Sequence, residues 1–384
     1  MIKFNKIKYI PISIDEIKKK KIISRNLSLF KSFLLIIIIM LFFLLFFIIN
    51  YKNKSYKLKN SRLNINKEEF LKLLKKILKD GEILENEMMK KHTTFKIGGP
   101  AKYFIKPKSI NQIIEIILLC NKYNVRYFIL GNGSNLLVSD NGYNGVIIQI
   151  HEYNFSNLTV KKSDENNYIL TVGGGMLMKT LSIESCFLSL TGLEDIIDIP
   201  GTVGGGIIMN ASFKGTGLIE PLIKVKVITP KGELLELSKE DCKLVRRGSM
   251  LKDKKYLVIE AMFLLKKGDK MIIQKKMTDN TKMRYEKQPM YFGSAGTFFV
   301  WNRSQHGSQY KLYKEQSIVG YRVGNAMIYT FNISFIVNLG NSTASEVMEI
   351  VTYIEKIMKE KYNIELKREV IVIGIFSFFF NNII

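Results

Sequence analysis

Two glycine-rich loops hold the residues of this chain best placed to do chemistry. The first reads Gly131-Asn132-Gly133-Ser134-Asn135 and the second Gly201-Thr202-Val203-Gly204-Gly205-Gly206, about seventy residues later. Each follows an apolar segment and offers bare backbone N–H groups at a tight turn. Such loops suit a pyrophosphate, because glycine lets the main chain come close to phosphate oxygens. Two of them suggest a large diphosphate-bearing cofactor between two lobes, and hence an enzyme. Neither is a common nucleotide fingerprint. Leu136 stands where a GxGxxG starting at Gly131 needs its third glycine, and no GxxxxGK[ST] occurs. One such loop alone would read as a glycine turn between strands; the pair favours a cofactor.

The elements that must position these loops alternate in an α+β pattern. A helix is expected at 110–120, a strand at 127–130 entering the first loop, and a strand at 146–150 leaving it. A strand at 168–172 ends in Gly173-Gly174-Gly175, followed by a helix to about residue 190. Segments 224–229 and 234–237 form a hairpin around Pro230-Lys231-Gly232, and 256–265 another strand. After a boundary at 266–269 come a helix to about 286, a strand around 297–299, a helix at 344–360 with Thr343 and Glu346 as capping box, and a final strand at 364–373. Upstream, a helix starts at Asn66 with Glu69 completing a capping box, shows an apolar face at Phe70, Leu71, Leu74, Ile77 and Leu78, and stops at Asp80-Gly81.

Composition narrows the class. The 384 residues allow two or three domains, and 47% hydrophobic content excludes a disordered chain. Cys120, Cys186 and Cys242 are scattered, which argues against a zinc site or a disulfide framework and suits a reducing compartment. His92, His151 and His306 read as surface or loop residues. The net charge is +24, yet residues 1–62 contribute half of it (14 Lys and Arg against Asp15 and Glu16), and no nucleic-acid-binding pattern accompanies the rest. Residues 33–49 are an unbroken apolar run, at the short end of the roughly 17–25 residues that span a bilayer. Lysines and arginines flank both sides, so orientation is not fixed. The run reads as a hydrophobic membrane-anchoring helix joined to an enzyme, or as upstream sequence taken in by a wrong start site.

A series of ordered motifs resembles the UDP-N-acetylenolpyruvoylglucosamine reductase (MurB) family. They begin with His92-Thr93-Thr94-Phe95-Lys96-Ile97-Gly98-Gly99-Pro100-Ala101, segment 130–140, and segment 192–212 with its Ile199-Pro200-Gly201 core. Arg247-Gly248-Ser249, Lys287-Gln288-Pro289, Ser294-Ala295-Gly296-Thr297-Phe298-Phe299, Gly320-Tyr321-Arg322-Val323-Gly324 and Arg368-Glu369-Val370 follow. The match runs over about residues 66–374 and is similar to the shorter, second type of the family. It implies a two-lobed FAD-binding fold of the vanillyl-alcohol-oxidase (PCMH) type plus a C-terminal α/β substrate domain. The corresponding division is 1–62 basic extension, 66–150 first FAD lobe, 151–268 second lobe, 269–374 UDP-sugar domain and 375–384 tail.

The resemblance further implies FAD and NADPH as cofactors, an enolpyruvyl UDP-sugar as substrate, and a cytoplasmic catalytic part even if 33–49 is inserted in the inner face of a membrane. Gly131, Asn132, Gly133, Ser134, Asn135, Gly201, Thr202, Gly204, Gly205 and Asn210 would hold the cofactor. Arg247 matches the arginine that polarises the substrate carboxylate, and Glu369 the glutamate that assists the enol. Lys287 matches a lysine on the anionic substrate. Thr297 stands where the family has its proton-donating serine; its β-methyl restricts χ1, so reduced activity is expected. Segment 329–334 reads Tyr-Thr-Phe-Asn-Ile-Ser, where this type often carries Ser-x-Lys-His-Ala-Gly, so Phe331 and Asn332 replace a Lys and a His. Segment 300–313 also matches poorly. Three readings stand: an active reductase, a flavin-binding remnant, or another flavin oxidoreductase of this fold.

Overall fold

The computed structural model describes residues 65–376 apart from 80 and 214. The apolar run at 33–49, Asp80 and the tail from 377 lie outside the described residues. Among the described residues no helix is long and apolar enough to cross a membrane.

Helix Lys67–Ile77 opens at Asn66, whose side chain accepts from the Glu69 amide at 2.8 Å. The Glu69 carboxylate stays in solvent, so one half of the expected capping box forms. Phe70, Leu74 and Leu78 are buried with Ile113, Ile116 and Ile117 of helix Ile110–Lys122 against one face of the first sheet. That sheet has four strands in the order Glu82–Met88, Pro100–Lys106, Tyr143–Gln149, Tyr127–Leu130. Its last two pairings are parallel, which puts the carboxyl end of Tyr127–Leu130 at the first glycine loop.

The second sheet is antiparallel, in the order Leu234–Ser238, Leu222–Ile228, Leu257–Lys267, Asn167–Gly173, Leu158–Lys162. Its buried side chains Leu170, Val172, Val225, Ala261 and Phe263 close over helix Met178–Phe187 and the short helix Val203–Ile208. The hairpin around Pro230 forms as expected.

Helix Lys270–Lys287 leads to a third region built on helix Ala344–Tyr362. There Thr343 and Glu346 make both bonds of the capping box. Val347, Ile350, Val351, Ile354 and Met358 form its core with Phe298, Phe299, Tyr313 and Ile336.

The expected strand at 364–373 is broken. Lys367–Arg368 pairs antiparallel with Phe299–Val300, whereas Ile371–Ile373 crosses back and pairs parallel with Leu136–Val138, beside the first glycine loop. Glu369 and Val370 occupy the break, and both are buried rather than facing opposite sides: Val370 is 3% exposed and the Glu369 side chain 12%. Two unrelated partners capture the flanking pieces, so alternation cannot run through.

Candidate active site

The two glycine loops face each other. A Cβ on Gly131 would lie 2.6 Å from Thr202 Oγ1, and one on Gly201 would lie 3.3 Å from Ser134 Oγ. Gly133 has φ +62°, and its Cα presses on the His92 carbonyl, so this position excludes any side chain. The Thr94 amide donates to the Gly133 carbonyl at 3.3 Å, tying the loop to the 92–101 motif. The amides of Asn132, Gly133 and Ser134 meet no acceptor among the described residues. Uncommitted amides on a tight turn form a cradle for phosphate oxygens, which fits the diphosphate of a flavin nucleotide.

In the second loop, Thr202 caps helix Val203–Ile208, its Oγ1 accepting from the Gly205 amide at 3.3 Å. Gly205 is exposed, with nothing but that hydroxyl near its Cα hydrogens. Gly204 differs: its amide is committed to the Gly174 carbonyl at 2.8 Å and it abuts Val258 O. It lets the loop pack on the second sheet.

Arg247 sits in the turn 245–248, with φ +59°. The turn closes through Val245 and Gly248, whose amides and carbonyls exchange bonds of 3.0 and 3.1 Å. Asn210 braces it, Nδ2 donating to Val245 O at 2.9 Å, so this side chain spans from the end of the second loop to the arginine turn. Ser249 adds a bond from Oγ to Ile208 O at 2.8 Å.

Arg247 Nε meets Glu369 Oε1 at 3.2 Å. Burial pushes the Glu369 carboxyl above its ordinary value, and that effect outweighs the opposing pull of Arg247, Lys252 and Arg246. The backbone of Glu369 is held on both sides: its amide donates to Phe298 O at 2.8 Å, and its carbonyl accepts from Asn135 Nδ2 at 3.0 Å. Asn135 O in turn accepts from the Ile371 amide. The break in the final strand therefore delivers Glu369 between the first glycine loop and the segment carrying Thr297.

Thr297 is half-buried, bridges Phe335, and its hydroxyl has no partner among the described residues. The segment is anchored to the first loop through Thr94, whose hydroxyl donates to Ser294 O at 2.8 Å and whose carbonyl accepts from the Ser294 amide. Lys287 is not drawn into the Arg247–Glu369 pair. It is exposed at the end of its helix, and its carbonyl accepts from Asn332 Nδ2 at 2.8 Å.

Segment 101–238 matches the FAD binding domain family, and 288–373 matches the UDP-N-acetylenolpyruvoylglucosamine reductase C-terminal domain. The reductase of Lachnoclostridium phytofermentans is 37% identical over 304 residues, 79% of this chain and 97% of that protein. That of Clostridium kluyveri is 36% identical over 309 residues, covering 80% and 98%. The chain belongs to the UDP-N-acetylenolpyruvoylglucosamine reductase family. A solved member from Thermus caldophilus superposes with a TM-score of 0.62 at 29% identity, covering 76% of this chain and 98% of that one. The fold is thus the FAD-binding fold of this family, and the chain is an FAD-dependent oxidoreductase.

Family membership gives new weight to residues that sequence reasoning passed over. His92 is not at the surface: it stacks on Phe104 at 4.1 Å and bonds Glu87 at 3.0 Å. His151 is half-buried, its pKa lowered by burial, with Nε2 3.3 Å from Asn132 Oδ1 in the first loop. Arg284, one turn before Lys287, is 5% exposed over the Phe213 ring, and its Nε has no partner. These contacts join distant segments, so spacing could not announce them.

Proposed function

We propose that this chain reduces the enolpyruvyl ether of UDP-N-acetylglucosamine to UDP-N-acetylmuramate, with NADPH as reductant, in the cytoplasmic stage of peptidoglycan synthesis. The observation that carries the proposal is the Arg247–Glu369 pair, held between both glycine loops and the Thr297 segment. The amides of 132–134 and the second loop would hold the flavin diphosphate. FAD, when bound, supplies the chemistry no side chain has: it takes a hydride from NADPH and passes it to the terminal carbon of the substrate.

Hydride arrival at that carbon leaves negative charge on its neighbour, delocalised into the carboxylate. Arg247 is always charged and presents a fork of donors that grips a carboxylate in fixed geometry, so it stabilises the charge as it forms. Glu369, with its carboxyl made harder to ionise, can hold a proton on an oxygen beside the enolate and donate a hydrogen bond. Thr297 Oγ1 would supply the proton to the carbon next to the carboxylate. Lys287 would meet the anionic part of the substrate.

The test is spectroscopic and kinetic. The purified chain should be yellow, and NADPH consumption should depend on the enolpyruvyl UDP-sugar. The altered segment at Phe331 and Asn332 favours a second reading, a flavin-binding remnant; flavin without substrate-dependent turnover would select it. A colourless protein would remove both.

A further inference from the structure

Next to Lys287 the surface carries aromatic rings that a folded chain would ordinarily bury. Phe331 is 83% exposed and Phe292 40%. They are not isolated: Phe331 packs on Tyr329 with centroids 5.6 Å apart, and Tyr329 on Phe292 at 6.1 Å. Single exposed apolar residues are ordinary, whereas a connected exposed patch marks a binding surface.

The backbone fixes where this ledge lies. Glu369 is bonded to Phe298 O, and the Phe298 amide to Ser334 O at 2.9 Å. The Ser334 amide donates to Asn332 Oδ1 at 3.3 Å, and Asn332 Nδ2 to Lys287 O. From the reacting end outward the order is Arg247 and Glu369, Thr297, Asn332 beside Lys287, then Phe331. A UDP-sugar has the same order of groups: enolpyruvyl carboxylate, sugar, diphosphate, uracil. Phe331 also stands where the sequence resemblance expects a lysine, so a point charge has been exchanged for a π-face.

We propose that Phe331, backed by Tyr329 and Phe292, is the stacking surface for the uracil of the substrate. The proposal rests on the reading of the chain as a UDP-sugar reductase. Stacking on an exposed ring is strong enough to matter: removing one aromatic from a base changes affinity on the order of 10-fold to 100-fold.

The experiment is calorimetric binding of UDP, and separately of inorganic pyrophosphate, to the flavin-loaded chain and to Phe331→Ala and Phe331→Trp. Retained flavin absorbance reports that each variant is folded. The expected result is a UDP dissociation constant raised about 10-fold to 100-fold in Phe331→Ala, unchanged pyrophosphate binding, and recovery in Phe331→Trp. In turnover the loss should fall on KM rather than kcat. Unchanged UDP binding, an equal loss for both ligands, or a change in self-association alone would overturn it. UDP binding needs no turnover: the expected pattern in a chain that does not reduce the substrate would sink the reaction and keep the stacking surface.

Discussion

The two glycine loops and the third region make opposite use of the same residue type. Gly133 in the first loop has positive φ and a backbone carbonyl against its Cα, so conformation and space both demand glycine. Gly307 in the third region also has positive φ (+70°), yet nothing lies within 4 Å of where a Cβ would be. The flavin side of the site is therefore locked by packed main chain, while the substrate side is a set of side chains on an open surface. That difference explains how the chain carries replacements at Phe331 and Asn332 while its loops match the family. Substitutions on an open face disturb few neighbours, whereas substitutions in the cradle move the backbone of two sheets.

The largest effect should follow from Gly133→Ala. A left-handed non-glycine residue costs about 1–3 kcal/mol by itself, and the collision with His92 O adds to it. The variant should lose bound flavin and unfold at lower temperature. A yellow, equally stable protein would break the contrast drawn here. Next is Arg247→Ala. Removing a donor aimed at developing negative charge costs on the order of 10²–10³ in turnover. Flavin absorbance should persist, because no loop amide depends on this side chain. Loss of flavin together with activity would mean that the two halves are not separable.

Thr297 lies at the junction of the halves. Thr297→Ala should lower turnover on the order of 10²-fold, as for loss of a proton donor. Thr297→Ser should raise it above the parent, because the β-methyl no longer restricts the hydroxyl. Equal or higher turnover in the alanine variant would remove Thr297 as the acid.

How far this contrast could be read from the sequence depends on where each restraint originates. The helix at 344–360 was legible because its cap, Thr343 with Glu346, lies within four residues. The glycine loops were legible for the same reason. The break at Glu369 was not, because its causes are Phe298 O and Asn135, 71 and 234 positions away along the chain. His92 and His151 were read as loop residues since their partners, Phe104 and Asn132, become neighbours only in the folded sheet. Arg247 and Glu369 were placed together by family resemblance, and the ion pair is a fact that local pattern does not contain.

The smallest predicted effect concerns pH, and it sharpens the view that Glu369 is a buried group on the locked side. Its folded-state pKa is raised, by burial first. The native state thus holds this proton more tightly than the unfolded chain does. Its stabilising contribution is complete below the ordinary glutamate pKa and is lost as pH rises through the raised folded value. Glu369→Gln keeps the shape and removes the ionisation, so its thermal stability should change less with pH across that window than the parent's. The glutamine leaves Arg247 with a neutral partner, which lowers stability by an amount that varies little in the same range, because a guanidinium stays charged. The decisive quantity is therefore the slope of the melting temperature against pH, not its height. If parent and variant show the same slope, Glu369 titrates as a solvated carboxylate would, and the Arg247 pair sits on the open side of the molecule.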